Sequence, residues 1–505
     1  MMIARPLATP LAALLAALTF SASATAQVIT PAITKGAQVT TEDYRRQARD
    51  ELARLKASTP INARAKNVII FIGDGMGIST LTAARIYQGQ KLGRDGESFT
   101  TAMDSLSHAA LVKTYSHDAQ VSDSAPTASA IMGGVKARND VIGVGPEAVV
   151  SDCLGSKDKH IPSIFDFAQT SGRATGIIST ARITHATPAA TYAHTPQRDW
   201  EADSDMPVQA KANGCLDIAR QMIENPVGAK FDIILGGGRS NFLPATMPDP
   251  EYADEKGRRT DGRDLLADWS RRNPGGAFVW NSRDFAALDM KSDQKVLGLF
   301  QPDHMQYEAD RAKDKGGEPS LADLTRAAIT KLGSKKTGYV LLVEGGRVDH
   351  GHHAGNAARA LEDAVALDGA IRAALDSVNL KDTLVLVTAD HSHTLVMSGY
   401  PQRGNPILGV VRGVDGEVIK AKDGKGYTTL GYANGPGAVA SPRPDPAATD
   451  TTALDYRQQA LIPLGGETHG GEDVAVRASG PMAHLFKGTI EQHTIYHVIR
   501  EAMTR

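Results

Sequence analysis

The sequence predicts an α/β fold: a large, mostly parallel central sheet with helices on both faces and a small inserted subdomain. Three observations carry the prediction. Short runs rich in Val, Ile and Leu recur at 67–73, 173–179, 231–236, 339–344 and 383–389, as strands buried on both faces require. Segments with helical spacing alternate with them. After His353, Leu361, Val365, Ile371 and Leu375 recur on one side with charges between, the pattern of a helix laid on a sheet. Finally, three of the runs stop at acidic or histidine residues. VIIFIGDG (68–75) ends at Asp74, YVLLVEGGRVDHGHH (339–353) delivers Glu344, Asp349 and His353, and TLVLVTADHSH (383–393) delivers Asp390, His391 and His393. Side chains at the carboxyl ends of parallel strands converge on one crevice.

The chain of 505 residues suffices for one large or two modest domains, and its 41% hydrophobic content supports a sizeable core. A formal charge of −2 argues against nucleic-acid binding, which needs a basic face. In order along the chain, residues 1–26 read as a signal peptide: Arg5, the apolar run LAALLAALTF, then the small-x-small site Ala24-Thr25-Ala26. The run is too short for a permanent span, and HVIREAMTR lacks the tail of a lipid-anchor signal. Export to the periplasm or beyond is expected, with no membrane anchor. Residues 27–66 read as a polar, partly helical arm, and 67–395 with 465–505 as the α/β domain that carries the chemistry. Two stretches look inserted: 246–295, polar and turn-rich, and 396–464, rich in Gly and Pro, which reads as a small β-rich subdomain or a dimer contact. There are two cysteines, Cys153 and Cys215. In an exported chain they pair or stay as two buried thiols.

The chemistry gathers at the strand ends. Four carboxylates in one crevice repel unless cations neutralise them, so a multinuclear metal site is expected. Asp349 and His353 are four apart and share a helix face, a spacing that suits one zinc. Asp390 and His391 can turn to a second metal, and GGETHGG (465–471) adds His469. Five of the fifteen histidines fall within 350–393. In AQVSDSAPTASAIMGG (119–134), Ser124 follows Asp123. A serine there is ordinarily a helix cap; beside zinc its hydroxyl becomes a nucleophile, with no histidine base required. Arg198, in THATPAATYAHTPQR (184–198), has the fork that grips two phosphate oxygens. Thr187 with Glu344 offers oxygen ligands to magnesium.

Together FIGDGMG, DSAPTASA, ITHATPAATYAHTPQR, LGGGR, VEGGRVDHGHH, TADHSHT and ETHGGEDVAV resemble, in order, the alkaline phosphatases, and the animal and marine-bacterial branch more than the enterobacterial one. The resemblance implies two zincs and one magnesium. Asp349, His353 and His469 would hold the first zinc, and Asp74, Asp390 and His391 the second. Asp74, Thr187 and Glu344 would hold magnesium, with His185 and His350 near it through water. Ser124 would form a phosphoserine, and Arg198, steadied by Asp123, would clamp phosphate. A Cys153–Cys215 disulfide is implied, as is a homodimer acting on small phosphate monoesters with broad specificity. At the family's fourth, calcium-like site Glu251 and Phe300 match, but Gln301 replaces a glutamate and Glu318 an aspartate, which makes calcium doubtful. The 396–464 segment resembles the family's crown in position only. The competing readings are a phosphodiesterase or sulfatase of the same superfamily, which lacks the magnesium set, and a silent zinc-binding or phosphate-scavenging protein, against which the intact Ser124 argues.

Overall fold

The computed structural model describes residues 39–504, so the 1–26 leader lies outside the described residues. The chain builds a ten-stranded sheet from β1 (Asn67–Gly73), β2 (His108–Lys113), β3 (Ala174–Arg182), β4 (Ile233–Gly237), β5 (Ala277–Val279), β6 (Val296–Leu299), β7 (Tyr339–Gly345), β8 (Thr383–Ala389), β14 (Val474–Ser479) and β15 (Thr489–Glu491). The five strands expected from apolar runs are β1, β3, β4, β7 and β8, and they lie side by side in the middle. The order across the sheet is β15-β2-β14-β8-β1-β7-β3-β4-β6-β5. Every pairing is parallel except the two that β14 makes with β2 and β8. Central strands are buried along their length, as all-apolar sequence on two covered faces requires. β5 and β6 close one edge, so part of the 246–295 stretch that looked inserted is structural sheet.

Register brings the functional ends level. Ile72 lies opposite Glu344 on one side and Thr388 on the other, and Gly73 opposite Ala389. Asp74 and Asp390 therefore leave adjacent strands side by side, next to Glu344. The helices Leu321–Gly333 and Ala357–Ser377 pack on each other and on β3 and β7. Ala357–Ser377 buries Ala357, Leu361, Ala364, Leu367, Ile371 and Ala374, a stripe three and four residues apart. Val365 and Leu375, read from sequence as part of that stripe, sit half-buried at its border. A second group, Ser124–Gly133, Ile164–Thr170 and Thr494–Thr504, packs together.

Within 395–463 the chain forms a separate three-stranded sheet from β10 (Leu395–Met397), β11 (Leu430–Gly435) and β12 (Ala460–Pro463). It is flanked by a two-stranded clasp, β9 (Ser392–His393) against β13 (His469–Gly470), in which His469 lies opposite His393. The clasp returns the chain to the strand-end crevice after the excursion. Upstream, Thr41–Ala57 is a helix started by a Thr40/Asp43 capping box, and it buries none of its residues.

Candidate metal centre

Three groups of carboxylates and imidazoles converge at the strand ends: Asp349, His353, His393 and His469; Asp74, Asp390 and His391; and Asp74, His185 and Glu344. In the first, the helix Arg347–His353 presents Asp349 and His353 on one face. His353 Nδ1–H donates to the Glu467 carbonyl (2.5 Å) and His469 Nδ1–H to the Ser122 carbonyl (2.8 Å). A carbonyl only accepts, so each neutral ring is left with a lone pair on Nε2. These two Nε2 atoms lie 3.1 Å apart and 3.3 and 3.5 Å from Asp349 Oδ1. Two lone pairs and a carboxylate oxygen facing one another are a donor set of the kind that suits a divalent cation such as zinc.

The fourth member, His393, has a different part. Its Nε2 is 2.7 Å from Asp349 and its Nδ1 is 2.5 Å from Glu467 Oε2. Flanked by two acceptors, the ring donates on both sides. Burial opposes its charge, but Asp349 and Glu467 outweigh burial and raise its pKa to about 9.

In the second group, His391 Nε2 lies 3.3 Å from both Asp74 and Asp390. Asp390 Oδ1 accepts from the Gly75 amide (3.0 Å), while Asp74 Oδ2 and Asp390 Oδ2 are buried without a hydrogen-bond partner. Burial first, then the Asp390, Asp349 and Glu344 charges, push Asp74 well above the usual carboxylate range. The third group is richer in oxygen. Thr187 Oγ1 and Glu344 Oε1 are also buried and unpartnered, and the Ser179 hydroxyl bonds the other Glu344 oxygen. Burial raises Glu344 to about 7 against that bond. An unmet buried acceptor costs about 1–3 kcal/mol. Four of them aimed at one crevice fit cation sites, and the hard oxygen set fits magnesium.

Ser124 is the first residue of its helix, and the cap expected of it falls instead to Asp123, whose side chain accepts from the Ala125 amide (2.6 Å). The buried Ser124 Oγ is thus free to sit 3.0 Å from His391 Nε2 and 3.5 Å from Asp74. Arg198 reaches Asp123 through Nη1 (2.9 Å) and donates to His185 Nε2 through Nη2 (3.1 Å). Burial, then Arg198 and Arg182, hold His185 neutral. His350 joins none of the three groups; its ring packs on His304 (4.1 Å between centroids) and takes an Arg347 N–H. Neither His304 nor Glu467 was singled out from sequence, although Glu467 stands two residues before His469 in GGETHGG.

Cys153 and Cys215 form a disulfide with Cα atoms 5.9 Å apart. The calcium-like positions are arranged differently from the metal clusters. Glu251 accepts from Arg239 (3.1 Å) and the Gly316 amide (2.9 Å). Gln301 donates its amide to Asp314 (2.7 Å). Glu318 takes the Gln306 amide through both oxygens, and burial pushes its carboxyl up to about 7. Phe300 is a core side chain against Phe285. A donor amide and a guanidinium stand among these carboxylates, which shrinks the acceptor set that calcium would use.

A family model described as alkaline phosphatase matches residues 65–504. The tissue-nonspecific alkaline phosphatase of Gallus gallus is 43% identical over 486 residues, covering 94% of this chain and 92% of its own length. The alkaline phosphatase of Gadus morhua is 44% identical over 446 residues, covering 87% and 92%. Among solved structures, the Thermus thermophilus alkaline phosphatase shares the fold with a TM-score of 0.62 at 22% identity, over 89% of this chain and 93% of its own. That of the Antarctic bacterium TAB5 does so with a TM-score of 0.59 at 23% identity, over 87% and 98%. The chain therefore belongs to the alkaline phosphatase family and is a hydrolase of phosphate monoesters.

Proposed function

We propose that hydrolysis proceeds through a phosphoserine on Ser124, at a centre of two zinc ions and one magnesium, with little regard for the alcohol that leaves. The observation that carries this is the Ser124 hydroxyl, relieved of capping by Asp123 and buried between His391 and Asp74. Asp349, His353 and His469 would hold one zinc; Asp74, Asp390 and His391 the other; Asp74, Thr187 and Glu344 the magnesium, with His185 and His350 outside it. When bound, these ions lower the serine pKa and offset the charge of a phosphate dianion.

Ser124 Oγ attacks phosphorus in line; the Oγ–P bond forms as the bond to the alcohol oxygen breaks, and the alcohol leaves with a proton. Water then attacks the phosphoserine, releasing inorganic phosphate and restoring the hydroxyl. Arg198, held by Asp123, grips two phosphate oxygens through both steps. Because the residues address the phosphoryl group, aryl and alkyl monoesters should react at similar rates. Ser124→Ala should abolish hydrolysis of a chromogenic aryl phosphate while leaving zinc content unchanged; full activity in that variant would refute the mechanism.

The working form we propose is an exported homodimer, periplasmic or secreted. The helix Thr41–Ala57 buries nothing and exposes Tyr44, Leu52 and Leu55, and the small sheet exposes Val396, Leu461 and Ile462. Apolar surface of that kind supports a partner copy. No helix among the described residues is long and apolar enough to cross a membrane. Light scattering at twice the chain mass, and a mature N-terminus at Gln27, are the results expected.

A further inference from the structure

Glu467 stands at the centre of the first donor set without belonging to it. Its carboxylate is fully buried. One oxygen accepts from the Thr394 amide and hydroxyl, both at 2.6 Å, and the other from His393 Nδ1 at 2.5 Å. Its carbonyl takes the His353 Nδ1 proton, and its amide donates to the His353 carbonyl (2.9 Å). Two residues on, His469 completes the set. The position is tight: Gly435 of β11, at φ +127°, lies where an added Cβ would come within 2.9 Å of Glu467 Cβ. One carboxylate oxygen and the carbonyl of this residue are thus committed to histidines of the first group, and the other carboxylate oxygen anchors the side chain to Thr394.

We propose that Glu467 is a positioning residue for the first zinc set. Its side chain points His393 at Asp349, and its main chain fixes the His353 tautomer that leaves Nε2 free. Two acceptor oxygens are essential, since both neighbours donate. A glutamine of the same shape would turn an N–H towards either Thr394 or His393, both donors. The β11 backbone at Gly435 also closes on the Cβ and main chain of Glu467, which holds the residue in place. The proposal rests on the zinc reading above.

The test uses the full chain loaded with zinc and magnesium, titrated against a chromophoric zinc chelator, with bound zinc and kcat followed together. In Glu467→Gln, one of two zincs should be lost at about 10- to 100-fold higher free zinc than in the wild type. Activity should fall along the same curve and return in excess zinc, with KM little changed. Retention of both zincs at wild-type affinity, or equal loss of both, would overturn the proposal. If Glu467→Gln fails to fold, Thr394→Val decides: it removes one donor to Glu467, and a weakening of about tenfold or less in the same zinc is expected, with no change overturning the assignment. A wild-type protein that takes up no zinc would overturn the metal reading itself, so the two failures are told apart.

Discussion

Two acid-rich regions of this molecule, both buried, balance their charge in opposite ways. At the strand ends, Asp74, Glu344 and Asp390 face one another with no Lys or Arg ion pair among the described residues, and each leaves an oxygen unpartnered. Beside β4 and β6, two guanidiniums do the work that ions would do. Arg239 forks onto Asp249 at 2.7 Å through two nitrogens and also donates to Glu251 and the Leu299 carbonyl. Arg259 forks onto Asp217 at 3.0 Å and bonds Asp261. Counting acids would treat the regions alike. Asking which acids have an internal partner separates a site built for exchangeable cations from one whose cation is part of the chain.

The comparison can be broken most forcefully by stripping metal. Dialysis against a chelator should abolish hydrolysis and lower the stability of the folded protein by about 4 kcal/mol for each ion held at a thousandfold excess over its Kd. Calorimetry before and after dialysis checks it, and an unchanged transition would place the two regions in one class. Arg259→Met should cost about 3–5 kcal/mol, because Asp217 is left buried and unpaired. That loss should be the same with and without metal, as chemical denaturation of both forms would reveal.

A smaller effect concerns pH. Between about 4.5 and 7, the folded metal-free chain keeps a proton on Glu344 that the unfolded chain has released. Metal-free stability should therefore fall as pH rises through that window, while cation binding grows stronger as the same proton leaves. The gap in melting temperature between loaded and metal-free protein should widen from pH 5 to pH 8; a constant gap would count against the assignment. The smallest effect is expected at Gln301. Calcium added to the loaded wild type should leave the melting transition in place. In Gln301→Glu, where an acceptor replaces the donor to Asp314, calcium at a few times its Kd should stabilise by about 1 kcal/mol.

Much of this was legible in the sequence, for identifiable reasons. The central strands are buried on both faces, so β1, β3, β4, β7 and β8 stand out as unbroken apolar runs. The groups that converge at their ends follow directly. β2 alternates buried and exposed residues and lies between β15 and β14, both from far along the chain, with β14 running antiparallel; no local pattern announces such pairings. β5 is three residues long inside a polar stretch, so its role as an edge was hidden. Glu467 was hidden differently. A glutamate among glycines reads as surface, and only the folded clasp reveals that Thr394 and His393 meet it. His350 illustrates the reverse: Asp349 and His353 on the same short helix join the first donor group, yet its own ring turns to His304.

The clasp of β9 against β13 has a consequence for how the protein comes to life. The first donor set draws on residues from 349 to 469, and the second reaches back to 74. No stretch of a few dozen residues contains a complete set. An unfolded chain thus offers no complete donor set to a stray cation. The first donor set is complete only once the excursion through 395–463 has closed, so its completion doubles as a report that the fold is finished.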